Sequence, residues 1–580
     1  MNKTKKLAGF PSIDKPWLKY YPEEAIHAKL EEVSAYEFIY SRNKTRLQKN
    51  ALNYFGRTIS FEEMFSNVNI CANALKNHGA KKGDIISISL PNTPEAVYLF
   101  YAISKIGAVA NMIDPRSSVE NIADYINEVG SKLLFIVDVA AAKAAKVIDK
   151  TNIQEVITVS PADSLPAVLR LGYKLKNASK NEDFHYMRWT QFFSGGNESS
   201  DTDSEPKFNA SEEPVLIVHT GGTTGTPKSV VLSNKSVNSI AFQSMLFPTD
   251  LQSKHKWLNI MPPFIAYGIG TGLHFPLAVG MEDILIPAFK PEEFDKLLIK
   301  YKPNHLSGVP SHWNNIINSK RLRNKDLSFL ISCAVGGDTM DKNLEENSNR
   351  FLKEHGCKYQ ITKGYGMTEV NGSIGRTTNE NNIIGSVGIP MVHSMVKICD
   401  PDTGEELSYN RHGEIYMSGP SVMIGYLNKE AETAAIKIKD ANGTEWIRSG
   451  DIGYMDPDGN IFIVDRIKRM IVRHDGFKVF PSMIENVILK NDCVHACCVV
   501  GVRDTAYRQG DLPFAYVVLK NCPVAENDLR NELDHLCETA LPEYAQPASY
   551  AFIDSLPVTS IGKVDYRALE EMAKEDTHNA

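Results

Sequence analysis

The stretch from His219 to Ser229, "HTGGTTGTPKS", sets three glycines and four threonines ahead of a lysine. Glycine frees backbone N–H groups to turn toward an anion, threonine adds hydroxyls, and lysine adds a cation, so the run suits a polyphosphate. A Walker phosphate loop reads G-x-x-x-x-G-K-[ST], with glycine before lysine so that the backbone wraps the β-phosphate. Here Pro227 precedes Lys228, and proline has a fixed φ and no N–H to donate. That wrap is disfavoured, while the threonine hydroxyls and the amides of Gly221, Gly222 and Gly225 stay available to phosphate oxygens. Taken alone, the run also reads as a polar surface loop.

Three later stretches carry further chemistry. "KGYGMTEVNG" (363–372) holds Thr368 and Glu369, "WIRSGDIGYMDPDGNIFIVDRIKRMI" (446–471) holds Asp451 and Arg466, and "LPVTSIGKVDYRAL" (556–569) holds Lys563. Each has a plainer reading. Thr368 and Glu369 would begin a helix as cap and dipole partner, Asp451 and Arg466 would make a surface ion pair, and Lys563 would be a solvated lysine.

The elements that must position these groups are legible in outline. A chain of 580 residues is too long for one ordinary core, so two or more domains are expected. Its composition, 43% apolar and 23% charged, is that of a globular protein, and a formal charge of -7 argues against a nucleic-acid partner. The N-terminal stretch has no apolar core of a signal peptide. The longest apolar run, from Val97, is broken by Lys105 and is too short to span a membrane, so no integral membrane protein is expected. It reads as a buried helix running into a strand. The nine cysteines show no C-x-x-C pair and read as buried reduced thiols, which suits a cytoplasmic protein.

Strands at 84–90, 132–138 and 156–160 alternate with helical patterns such as 93–107, and predict an α/β region with largely parallel sheets. From about 177 to 213 the chain turns polar and reads as a surface excursion. After residue 471 a strand, strand and amphipathic helix predict a separate small domain, with the boundary near 465–468.

Taken in order, the loop, "KGYGMTEVNG", "GEIYMSGPSVMIGYLN" (413–428), the 446–471 stretch and "TSIGKVDYR" resemble the adenylate-forming (AMP-binding) superfamily, in its acyl-CoA synthetase branch. The resemblance runs over nearly the whole chain. It implies an α/β fold with a large N-terminal domain of β-sheets flanked by helices (1–465) and a small mobile α+β C-terminal domain (466–580) bearing the catalytic lysine. It also implies the reaction: a carboxylic acid attacks the α-phosphate of ATP, pyrophosphate leaves, and the acyl-adenylate passes its acyl group to the CoA thiol.

The residue roles follow from the same resemblance. Thr220, Gly221, Gly222, Thr223, Thr224, Gly225, Thr226 and Lys228 would hold the β- and γ-phosphates. Thr368 would touch the α-phosphate, and Glu369 with Thr224 would hold Mg²⁺, a hard cation that prefers oxygen. Tyr365 would stack on adenine, and Asp451 and Arg466 would bind the ribose. Lys563 would bridge the incoming carboxylate and the α-phosphate as a mobile point charge. Lys468 would be the hinge, and Gly476 would let the pantetheine arm of CoA approach the backbone.

The chain departs from the family pattern at several places. Lys363 stands where synthetases often have glutamine, and its ammonium would meet substrate or point outward. Ile265 replaces a histidine linked to the acyl gate, and "IVRHDG" is one residue longer than the usual stretch. Small residues, among them Ala266, Gly268, Gly270, Gly272, Gly308, Gly336 and Gly337, predict a roomy acyl channel. No charged residue waits for an amino group, Asp338 falling near the nucleotide end, so a hydrophobic acid is favoured. The segment 165–177 resembles insertions of bacterial fatty-acyl synthetases. A carrier-protein phosphopantetheine is the alternative acceptor and an aryl acid the alternative substrate; a non-catalytic sensor and a phosphotransferase are the competing classes.

Overall fold

The computed structural model describes residues 7–177, 186–198, 209, 211–220, 227–475, 477–507, 509–520, 525–558 and 564–578. Local sequence sets each element. The run from Val97 is helix Pro94–Ile106 followed by strand Val109–Met112. Thr93 caps that helix by accepting from the Ala96 N–H, Pro94 opens it, and Gly107 closes it at φ +74°. Both its faces are covered, as the apolar run from Ala96 to Ile103 requires.

Two large sheets result. In the first, spatial order is Gly425–Tyr426, Ser229–Ser233, Pro214–His219, Val109–Met112, Ile85–Ser89, Leu133–Val137, Glu155–Val159 and Met187–Arg188. Its pairings are parallel except at Ser229–Ser233, which runs against both of its neighbours. In the second, Ile361–Tyr365, Ser332–Val335, His305–Gly308, Lys256–Asn259, Glu282–Leu285 and Asn50–Tyr54 run parallel, with antiparallel strands at each edge. A third, antiparallel sheet is built on the long strand Glu445–Met455, flanked by Gly413–Ser418 and Ile461–Arg466. One apolar cluster extends from Trp17 to Ile461 and joins the first sheet to the helices beneath it.

Beyond residue 466 the strands Val494–Arg503, Asp511–Leu519 and Ser549–Phe552 form a small sheet with helices Pro481–Ile488 and Glu526–Ala540. Two further apolar clusters there contain only residues after 470. The strand at 549–552 has no counterpart in the sequence reading, because "SYAF" is short and unpatterned.

The polar excursion needs correction within 186–198. Met187–Arg188 adds a parallel strand to the first sheet, and the helix Trp189–Ser194 buries Trp189 and Phe192 against it. Polar flanks masked two aromatic anchors three residues apart, which is helical spacing. The thiol reading also changes: Cys71, Cys333, Cys357, Cys399, Cys497, Cys498 and Cys537 are free, but Cys493 belongs to a disulfide. Among the described residues no helix is long and apolar enough to cross a membrane.

Candidate active site

Strand Pro214–His219 and strand Ser229–Ser233 are antiparallel neighbours, so the glycine–threonine loop joins two strands. A Walker loop instead runs from a strand into a helix. The neck of the loop is clasped twice: the Thr220 N–H donates to the Lys228 carbonyl at 2.9 Å, and the Lys228 N–H donates to Thr220 Oγ1 at 3.0 Å. Gly221, Gly222, Thr223, Thr224, Gly225 and Thr226 lie outside the described residues. Below the neck, His219 contacts Ser229 and Asn111 at 3.0 and 2.9 Å and stacks on Tyr125. Burial pulls its pKa down to about 3, so the ring is neutral. Ser229 in turn donates to Glu128. These contacts anchor the strand that delivers Lys228.

Lys228 Nζ lies 4.4 Å from the centre of the Tyr426 ring, and the Tyr426 hydroxyl donates to Glu369 Oε1 at 2.6 Å. Tyr426 therefore joins the phosphate-loop lysine to the acidic residue of "GYGMTE". Glu369 is buried, and its backbone carbonyl accepts from the Met423 N–H at 2.9 Å. Burial raises its pKa, while Tyr426, Lys228 and Arg466 act to lower it. Thr368 opens the short turn Thr368–Val370, beyond which Asn371 adopts φ +54°. Gly366 is required here: a Cβ on it would fall 2.7 Å from the Gly372 backbone.

The second group forms around Asp451. The Tyr365 hydroxyl donates to Asp451 Oδ2 at 2.7 Å, and Arg466 Nε approaches Oδ1 at 3.1 Å. Asp451 and Arg466 face each other across strands Glu445–Met455 and Ile461–Arg466. Asp451 is buried while most of the Arg466 side chain is exposed, so the carboxylate is fixed and the guanidinium is free to reach outward. Burial, reinforced by Asp451, pushes the Tyr365 pKa well up and keeps the phenol protonated.

Lys468 is exposed in the turn Ile467–Arg469. Beside it, Arg469 bridges Asp465 at 3.4 Å and Glu485 at 2.5 Å, and lies 4.1 Å from the centre of the Tyr566 ring. Gly476 and Lys563 lie outside the described residues. The chain flanking Lys563 closes on itself: Val558 pairs with Val564, and the Asp565 N–H donates to the Pro557 carbonyl at 2.8 Å.

Two expectations are overturned. Lys363 neither meets substrate nor points outward: it is 5% exposed, ion-paired with Glu345, and donates to the Ile383 carbonyl at 2.9 Å. Strand alternation puts it on the same face as Tyr365, but Glu345 on helix Lys342–Glu354 takes up its charge there. Nor do the glycines all leave space. A Cβ on Gly268 would lie 1.7 Å from the Pro262 carbonyl oxygen, and one on Gly272 would lie 2.9 Å from Asn259 Oδ1. Those two glycines admit neighbouring atoms. Tyr426 was missed as a site residue, although it lies inside the quoted "MIGYLN"; its only signal was membership of that motif.

The chain belongs to the AMP-binding enzymes, whose family model matches residues 40–427, and a model of the AMP-binding enzyme C-terminal domain matches residues 483–563. Within that family its relatives are CoA ligases. It is 29% identical over 574 residues to a long-chain-fatty-acid–CoA ligase of Bacillus subtilis, covering 97% of this chain and 99% of that protein. It is 26% identical to the ligase of the same description from Haemophilus influenzae, over 98% of this chain and all of the relative. In fold it matches the crystal structure of an anthranilate CoA ligase bound to anthranoyl-AMP, with a TM-score of 0.80 at 20% identity over 96% of this chain and 99% of that one. The mixed α/β architecture with large sheets and a small C-terminal unit is that of adenylate-forming enzymes.

Proposed function

We propose that the protein is an AMP-forming acid–thiol ligase that activates a carboxylic acid with a hydrophobic body, a fatty acid in type, and passes it to CoA. The observation that carries the reading is the pairing of two buried carboxylates with complementary surroundings. Glu369 is held by Tyr426 next to Lys228, and Asp451 is held by Tyr365 next to Arg466. On this reading Asp451 would accept from both ribose hydroxyls, Tyr365 would pack against adenine, and Lys228 and Thr220 would face the phosphates. The long-chain-fatty-acid ligases among the relatives favour an aliphatic acid.

Joining a carboxylate to a phosphate sets two anions against each other, so the site must supply fixed positive charge. Lys228 supplies it from the loop neck, Arg466 from the ribose side, and Lys563 from the C-terminal unit. Mg²⁺ fits the donor set. It asks for one or two carboxylates and takes its other ligands from phosphate and water, and Glu369 offers one oxygen-only group already oriented by a phenol. Among the described residues no three acidic, histidine or cysteine side chains form a metal cage, which matches a metal shared with the nucleotide. Glu369 with Thr224 would hold it, and when bound it neutralises phosphate charge. Thr368 would orient the α-phosphate.

Residues 1–465 are proposed to act as the nucleotide-binding domain and 466–580 as a unit that rotates about Lys468 to exchange Lys563 for the CoA channel at Gly476. Among the described residues seven cysteines are free against one, Cys493, in a disulfide; on the weight of the free thiols a cytoplasmic location is proposed. The test is product identity. With ATP, Mg²⁺ and a panel of fatty and aryl acids, pyrophosphate and CoA-dependent AMP are expected. ADP as product sinks the reading, and AMP release that needs a carrier protein in place of CoA assigns the alternative acceptor.

A further inference from the structure

Arg376 is enclosed without a counter-charge. It pairs with Gly364 at the edge of the nine-stranded sheet and is 9% exposed. Its Nη2 donates to Ser332 Oγ at 3.1 Å, and the guanidinium lies 5.5 Å from the centre of the Phe247 ring. Among the described residues no carboxylate acts on it. Burial pulls its pKa down, and the phenols of Tyr267 and Tyr21 alone work in the other direction. The contrast with neighbouring buried cations is sharp: Lys363 has Glu345, and Arg469 has Asp465 and Glu485. An enclosed charge without a partner is heavily penalised, and arginine cannot escape the penalty by losing its proton. An anion brought by a ligand removes it.

The surroundings agree. Paired residues share a sheet face, so Arg376 projects on the same side as Thr362, His305 and Asp283. On that face Thr362 Oγ1, on the adjacent strand, and His305 Nδ1, three strands away and within reach of the Arg376 charge, are buried and have no hydrogen-bond partner. Buried polar groups are almost always partnered, and a bare hydrocarbon chain would leave these as they are. The guanidinium also points away from the reacting end. Ser332 begins its strand and Gly336 follows the far end, ~13 Å further along. Ligands in such sheets sit beyond the strand ends, where Tyr365 lies. Tyr267 stands between: a Cβ on Gly336 would be 3.6 Å from its hydroxyl, and its phenol feels the Arg376 charge.

We propose that the acid carries a second anionic group, a carboxylate, remote from the carboxylate that is activated, and that Arg376 binds it. This rests on the ligase reading and narrows its substrate class to acids with two charged ends. The experiment compares straight-chain acids of matched length ending in a methyl or in a second carboxylate. For the unaltered enzyme kcat/KM is expected to favour the diacid at least ~10-fold at one length, as a hydrogen-bonded charge pair provides. In Arg376→Met that ratio should fall to about one, with Arg376→Lys in between. Unfolding midpoints provide a readout without turnover. The diacid should raise the midpoint of the unaltered protein and not that of Arg376→Met, whose ligand-free midpoint should equal or exceed the original. AMP release by the unaltered enzyme from the methyl-ended acid reports the ligase activity separately. An unchanged ratio, an unchanged diacid-induced shift, or a ligand-free Arg376→Met protein several degrees less stable overturns the proposal.

Discussion

Tyr426 shows how one side chain ties two motifs far apart in sequence. Its hydroxyl donates to Glu369 while its ring faces Lys228, so the orientation of the carboxylate proposed to hold Mg²⁺ depends on a residue with no charge of its own. Replacing it with phenylalanine keeps the ring and removes the donor. A hydrogen bond to a charged group is worth about 1.5–3 kcal/mol, so Tyr426→Phe should slow adenylate formation ~10- to 100-fold and raise the Mg²⁺ concentration needed for half-maximal rate. Pyrophosphate exchange measured across a Mg²⁺ titration checks this, and an unmoved titration curve would remove Tyr426 from the metal site. At this scale the sequence was informative where a motif fixed both residue and neighbours. The settings "MTEV", "SGD" and "DR" singled out Glu369, Asp451 and Arg466, and the structure gathers them into two bonded groups with Tyr426 and Tyr365. Lys363 was misread because its partner, Glu345, lies eighteen residues earlier on another element, and no local pattern pairs them.

Elements were legible where one physical signal dominated. Thr93, Pro94 and Gly107 bracket their helix as capping chemistry requires, and the apolar run from Ala96 to Ile103 between them announced burial on both faces. Charge within such a run has consequences. Glu95 sits in the first turn of that helix, fully buried, with one oxygen bonded to Ser164 at 2.5 Å and the other without a partner. Burial is the largest cause of a pKa raised from 4.5 to about 7. Below pH 4.5 the carboxyl is protonated in both folded and unfolded chains and adds no penalty. Between pH 4.5 and 7 only the unfolded chain ionises, so stability falls as pH rises, and above 7 the deficit is complete. Glu95→Gln should therefore flatten the pH dependence and gain up to about 3 kcal/mol more at pH 8 than at pH 4.5. Urea midpoints at the two pH values decide it; a gain that is the same at both rejects the assignment. By contrast, the helix Trp189–Ser194 was hidden because its two anchors are isolated in a polar neighbourhood, and only tertiary packing reveals them.

The whole molecule poses the question of how one site performs two chemical steps. Arg469 answers part of it, since it binds Asp465 on the last strand of the antiparallel sheet, Glu485 on the following helix, and the face of Tyr566 near the C-terminus. Asp338, which follows strand Ser332–Val335, also acts on the Tyr566 phenol, so the helix just after Lys563 lies toward the nucleotide end of the large sheet. Its approach is braced by the Val558–Val564 pairing and the Asp565 to Pro557 hydrogen bond. On the proposed reading Lys563 would deliver its ammonium to the α-phosphate during adenylation and would take no part in transfer to CoA. Lys563→Ala should accordingly depress adenylate formation by ~10²- to 10³-fold, as loss of one preorganised transition-state donor does. Thioester formation from supplied acyl-adenylate and CoA should keep its rate within about twofold, because at that step no pyrophosphate leaves and the lysine has no charge to offset. The two half-reactions can be timed separately by pyrophosphate release and by CoA thiol consumption. Equal slowing of both would place Lys563 outside the adenylation step and would leave the proposed rotation about Lys468 without a purpose.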